Sequence, residues 1–167
     1  MASFDLDRLL NVNVGIMGHV DSGKTTLVRS LSTLLSTAAL DKHPQSQQRG
    51  ITLDLGFSAF TLPLPPHLEE LVSSDYDALQ FTLVDCPGHA SLIRTILGGA
   101  AIIDMIILVI DATKGIQKQT VECIVIAEIA TDNLIIALNK VDLFEEEERE
   151  EKIQEATQQV FFFLCHI

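Results

Sequence analysis

The chain has 167 residues, 47 % of them hydrophobic, and a formal net charge of −12. That length fits one domain of the usual ~100–200 residues with a real core, and the acidic balance argues against a broad nucleic-acid surface, DNA included. No apolar run reaches the ~18 residues a membrane helix needs, the opening MASFDLDRLL is too acidic and mixed for a secretory signal, and Cys86, Cys123 and Cys165 are too few and too odd in number for a disulfide framework; a cytoplasmic protein with no membrane partner is expected.

Alternating Val12, Val14 and Ile16 predict a strand over 12–18. It runs into Gly18-His19-Val20-Asp21-Ser22-Gly23-Lys24-Thr25, which fits the phosphate-loop pattern G-x-x-x-x-G-K-[ST] in the strand–loop–helix context that the motif requires. The glycines let main-chain N–H groups curl around phosphates, Lys24 would reach the β- and γ-phosphates, and the Thr25 hydroxyl would bind Mg²⁺. The expected phosphate-binding set is His19, Val20, Asp21, Ser22, Gly23, Lys24, Thr25 and Thr26. A helix is predicted over 24–36, with Leu27, Leu31, Leu34 and Leu35 on one face.

Residues 37–51 are polar and read as a loop. It ends in Arg49-Gly50-Ile51-Thr52, where Thr52 taken alone is an ordinary residue at a strand start. A strand follows over 52–62, with Gly56 a candidate bulge, then an exposed proline-rich stretch over 63–78 and a strand over 79–85. That strand ends in Asp85-Cys86-Pro87-Gly88-His89, at the sheet edge where open α/β sheets bind ligands. There Asp85 can hold Mg²⁺ through a water, and the Gly88 N–H can approach a γ-phosphate.

A short helix is expected over 89–98 and a strand over 103–111 with the continuous apolar run Met105 to Ile110, the pattern of a parallel strand covered on both faces. A helix over 116–130 and a strand over 134–139 lead to Asn139-Lys140-Val141-Asp142. Asp142 can accept two hydrogen bonds from guanine, whereas adenine offers no such donor pair. Lys140 can lay its alkyl stem on the purine, and Asn139 would tie this loop to the phosphate loop. A last helix is predicted over 145–164, with Ile153, Ala156, Val160 and Phe163 at helical spacing. The run Glu145–Glu148 reads as its solvated, negatively charged start. Strands alternating with helices make this an α/β protein with a doubly wound, mostly parallel sheet.

The set GHVDSGKT, RGIT, DCPGH and NKVD resembles the GTPase domain of translation factors related to elongation factor Tu. STAALDKHPQSQQRGITLDLGFSAF, FTLVDCPGHASLIRTILGGA and LVIDATKGIQKQTVEC bring it near the eukaryotic selenocysteine-specific elongation factors, over about Val12 to Leu143. That resemblance implies a GTP/GDP- and Mg²⁺-dependent GTPase that delivers selenocysteinyl-tRNA to ribosomes at UGA codons. Selenocysteinyl-tRNA, the ribosome and a SECIS-binding protein are the implied partners, in the cytoplasm with the nucleus as a second location. It implies that Thr52 binds Mg²⁺ and senses the γ-phosphate, that His89 orients the attacking water, and that Val20 and Ile51 form an apolar gate beside this histidine.

Against that family, residues 1–167 are expected to be an incomplete GTP-binding domain. The last strand and helix, a guanine-contacting Ser/Ala-Ala-Lys-like loop and the tRNA-binding β-barrel domains are not among them. The ending Gln159-Val160-Phe161-Phe162-Phe163-Leu164-Cys165-His166-Ile167 does not resemble the family. It should either fold back over an uncovered sheet face or leave an exposed apolar patch. Two other readings stay open: a non-catalytic fragment with weak or no nucleotide binding, and a different translational GTPase of the initiation factor 2 γ kind.

Overall fold

The computed structural model describes residues 8–32, 56–69, 72, 75–86 and 103–166. Five strands form one sheet: β1 (Leu9–Met17), β2 (Gly56–Pro63), β3 (Ala78–Asp85), β4 (Met105–Asp111) and β5 (Leu134–Asn139). Their order is β2-β3-β1-β4-β5. β1 pairs in parallel with β3 and β4, and β4 pairs in parallel with β5. Only β2, at one edge, runs antiparallel, against β3. The carboxyl ends of β1, β3, β4 and β5 therefore share one edge of the sheet, the edge that positions the site.

Among the described residues the helices are α1 (Lys24–Leu31), the single turn α2 (Pro66–Glu69), α3 (Lys118–Ala130) and α4 (Arg149–Leu164). Strand side chains alternate between faces, and β4 shows the result. Ile106, Leu108 and Ile110 pack with Cys123, Ile124 and Val160 of α3 and α4. Val109 turns the other way and packs with Val14, Ile16, Leu83 and Val28 of α1. Ile16, Ile106, Leu108 and Val109 are fully buried, so the central strands are apolar on both faces, as a covered parallel sheet requires.

Several expectations shift. In α1 the buried apolar residue is Val28, while Leu27 is half-buried against the same cluster and Leu31 is 38 % exposed. Residues 33–55 and 87–102 lie outside the described residues, and with them Leu34, Leu35, the loop 37–51 and the helix 89–98. β2 is in unbroken register from Gly56 opposite Asp85 to Pro63 opposite Ala78, so Gly56 is no bulge. The stretch 63–78 holds a helical turn begun by Pro66, whose missing N–H costs nothing at a first helical position.

α3 begins at Lys118, where Gln117 and Thr120 form a reciprocal capping box. Glu145–Glu148 are solvated but lie ahead of α4; Glu150 and Glu151 occupy its first turn. The phenylalanine run continues α4. Phe163 and Leu164 pack on the core, whereas Phe161 and Phe162 are 69 % and 65 % exposed. All three cysteines are free thiols, with Cys86 and Cys123 buried and Cys165 exposed.

Candidate nucleotide site

The loop between β1 and α1 needs both of its glycines. Gly18 has φ +147°, and a Cβ there would lie 2.2 Å from the Val109 carbonyl oxygen. Gly23, the α1 N-cap, has φ +95°, and a Cβ there would lie 2.2 Å from Asn139 Nδ2. Asp21 also takes the left-handed conformation, at φ 62°, which Asp tolerates better than most residues. The Ser22 N–H closes the turn on the His19 carbonyl at 3.2 Å, and Gln119 Oε1 at the start of α3 accepts from the Val20 N–H at 3.2 Å.

Lys24 donates its ammonium to the His19 carbonyl at 2.8 Å, so it spans the loop it belongs to. Only 7 % of it is exposed. Burial pushes its pKa below the ordinary value, and the Asp85 carboxylate only partly opposes that. A cation short of solvation at the first turn of a helix favours an arriving anion. Thr25 donates its hydroxyl to Asp85 Oδ2 at 2.7 Å. A hydroxyl and a carboxylate are hard oxygen donors that suit Mg²⁺, whose remaining positions go to phosphate and water; the pair fits the ion. Thr26 is exposed in the first turn of α1.

At the other end of the loop, Asn139 donates its side-chain amide to the Ser22 carbonyl at 2.8 Å. The next residue, Lys140, is held at φ 62° and donates to Asp111 Oδ2 at 2.8 Å. Asp142 is exposed on the 3-10 turn Val141–Leu143. The phosphate loop, the Thr25–Asp85 pair and the Asn139–Lys140 turn are thus joined at one sheet edge. Thr52, Gly88 and His89, and the gate residue Ile51, lie outside the described residues.

The sequence reading missed Asp111. It ends β4 directly opposite Asn139 in the parallel register, and it is 5 % exposed. Oδ1 accepts from both the N–H and the hydroxyl of Thr113, at 3.0 and 2.6 Å. Burial pushes this carboxyl up, but the Lys140 and Thr113 hydrogen bonds outweigh it and hold the pKa below the ordinary value. A signal was available: a lone carboxylate closing an apolar strand, with threonine two residues on, is an Asx-turn pattern. Gln119 was missed as well, and nothing local marks it.

Beneath the loop, burial and the neighbouring Asp85 carboxylate push the Cys86 thiol up to about 12, and burial raises Cys123. Among the described residues no cluster of His, Cys, Asp and Glu could hold a metal ion by itself, and no helix is long and apolar enough to cross a membrane.

The family pattern of the elongation factor Tu GTP binding domain matches residues 10–164. A selenocysteine-specific elongation factor of Mus musculus is 61 % identical over 153 residues, 92 % of this chain and 26 % of that protein. A translation initiation factor 2 γ subunit of Haloarcula marismortui is 42 % identical over 161 residues, 86 % of this chain and 38 % of that protein. Among solved structures, a bacterial selenocysteine-specific elongation factor superposes with TM-score 0.71 at 27 % identity, over 93 % of this chain and 23 % of that one. The elongation factor SelB of Methanococcus maripaludis, in complex with the GTP analogue GPPNHP, gives 0.59 at 34 % identity, over 86 % and 25 %. The chain thus spans about a quarter of the length of the selenocysteine-specific factor it matches.

Proposed function

This chain belongs to the elongation factor Tu GTP-binding domain family, and we propose that it is the guanine-nucleotide-binding, GTP-hydrolysing part of a selenocysteine-specific elongation factor. Such a factor carries selenocysteinyl-tRNA to the ribosome at UGA codons and works in the cytoplasm. The observation that carries the nucleotide reading is the junction of the two ends of the site. Asn139 donates to the phosphate loop at Ser22, which ties the turn that would face the base to the loop that would face the phosphates. The selenocysteine-specific reading is favoured by 61 % identity against 42 % for the initiation factor γ subunit.

In this reading Lys24 leaves the His19 carbonyl for the β- and γ-phosphates. Main-chain donors from His19 to Thr26 surround them. Asp142 accepts from guanine, and the Lys140 stem covers the ring. Thr25 and Asp85 would hold Mg²⁺, with Thr52 as a further ligand; when bound, the ion neutralises charge developing on the phosphates. The family resemblance assigns the orientation of the attacking water to His89 and a γ-phosphate contact to the Gly88 N–H.

Titration of the purified chain with fluorescent GDP and ADP tests this. Guanine binding at least about 100-fold tighter than adenine binding is expected from a site that leaves the wrong base unpaired. Equal affinity for the two would overturn it. Filter binding of selenocysteinyl-, alanyl- and initiator tRNA to the full-length factor separates the selenocysteine-specific reading from the initiation-factor one.

A further inference from the structure

We propose that Asp111 is a positioning residue for base recognition: it clamps the Lys140 ammonium so that the lysine stem is set in place before the purine arrives. The inference rests on the guanine-nucleotide reading and adds a residue to it. A free lysine side chain has many rotamers, and ordering one on binding costs affinity. Here the ordering is already done. Lys140 Nζ meets Asp111 Oδ2 at 2.8 Å, and the carboxylate is itself buried. Thr113 fixes it through two hydrogen bonds to its other oxygen.

The main chain of Lys140 is under strain as well. A lysine in the left-handed region persists only where its surroundings over-determine it. Three contacts do so. The Ala112 N–H bonds the Asn139 carbonyl at 2.9 Å, Asn139 bonds Ser22, and Asp111 bonds the Lys140 side chain. The exposed Lys114 reaches the same carboxylate oxygen only at 3.9 Å, so Lys140 is the chief partner. Ammonium and carboxylate neutralise each other at the far end of the stem, leaving methylenes to face an uncharged base.

The test is a double-mutant cycle on fluorescent GDP affinity in the 167-residue chain, using Asp111→Asn and Lys140→Met. Methionine keeps most of the stem and removes the ammonium, so Asp111 has nothing left to hold. Asp111→Asn should weaken GDP binding about tenfold in the wild-type background and less than about twofold in the Lys140→Met background. A general structural role would give the same loss in both backgrounds, and that result overturns the assignment. So does unchanged affinity in Asp111→Asn. If circular dichroism shows Asp111→Asn unfolded, Lys140→Met decides alone: about a tenfold loss supports the clamp, and wild-type affinity overturns it. A wild-type chain that does not prefer guanine to adenine nucleotides sinks the nucleotide reading itself, which is distinguishable from failure of the clamp.

Discussion

Asn139 donates its side-chain amide to the main-chain carbonyl of Ser22, 117 positions earlier in the chain, at 2.8 Å. The end of β5 therefore pins the phosphate loop from behind. Asn139→Ala leaves that carbonyl without its donor and should cost about 1–2 kcal/mol. The melting midpoint should fall by about 2–8 °C, and GDP affinity by about tenfold or more. Differential scanning fluorimetry with and without GDP reads both; an unchanged midpoint would contradict the pin.

The two loop glycines should not be equally costly to replace. A Cβ at Gly18 meets the Val109 carbonyl, fixed main chain of a central strand, whereas a Cβ at Gly23 meets a side-chain amide that can turn away. Gly18→Ala should cost about 3 kcal/mol or more and Gly23→Ala about 2 kcal/mol. Moreover, Asn139→Ala removes the atom that Gly23→Ala strikes. The double substitution should cost less than the two single effects added, as urea denaturation would reveal.

Thr25 and Asp85 share a 2.7 Å hydrogen bond at the proposed Mg²⁺ position. Thr25→Val keeps the shape and loses the hydroxyl. GDP affinity in Mg²⁺ should fall about tenfold, while affinity in excess chelator should hardly change. An equal loss in both conditions would place the hydroxyl's role elsewhere.

Thiol chemistry should divide the cysteines two to one. An aromatic disulfide reagent should label Cys165 in the folded chain and reach Cys86 and Cys123 only on unfolding. Cys86 also sets an alkaline limit. Its folded-state pKa is about 12 against an ordinary 9.0, so between these values the unfolded chain carries fewer protons. Stability therefore falls as pH rises through that window, by on the order of 4 kcal/mol if the whole span is titrated. Cys86→Ala should flatten the slope of unfolding free energy above pH 9, whatever its effect at neutral pH.

Much of this was legible because the signals are local. β5 occupies 134–139, the range its apolar run gives, and β4 and α3 start within two residues of expectation. The phosphate loop and the Asn139-Lys140-Val141-Asp142 turn are fixed-spacing motifs, each following a strand. The illegible parts depend on the tertiary arrangement. Leucine spacing in α1 points to a face through Leu27 and Leu31; Leu27 does pack on the cluster over β1 and β3, but the buried apolar residue of α1 there is Val28, and Leu31 is exposed. Asp111 matters only because parallel pairing sets it opposite Asn139, and Gln119 only because α3 starts beside Val20. Both contacts join residues far apart in the chain, although the Asp111–Thr113 turn is itself a local pattern.

The pairing of Asp111 with Asn139 makes the nucleotide a proofreader of the fold. Side chains alternate along a strand, so sliding β5 by one residue turns Asn139 away from Ser22 and draws Lys140 off Asp111. The mispaired sheet still buries apolar residues, but it has no place for a base. A ligand that binds one alignment only enriches that alignment by mass action, so guanine nucleotide present during refolding should raise the yield of correctly threaded chain.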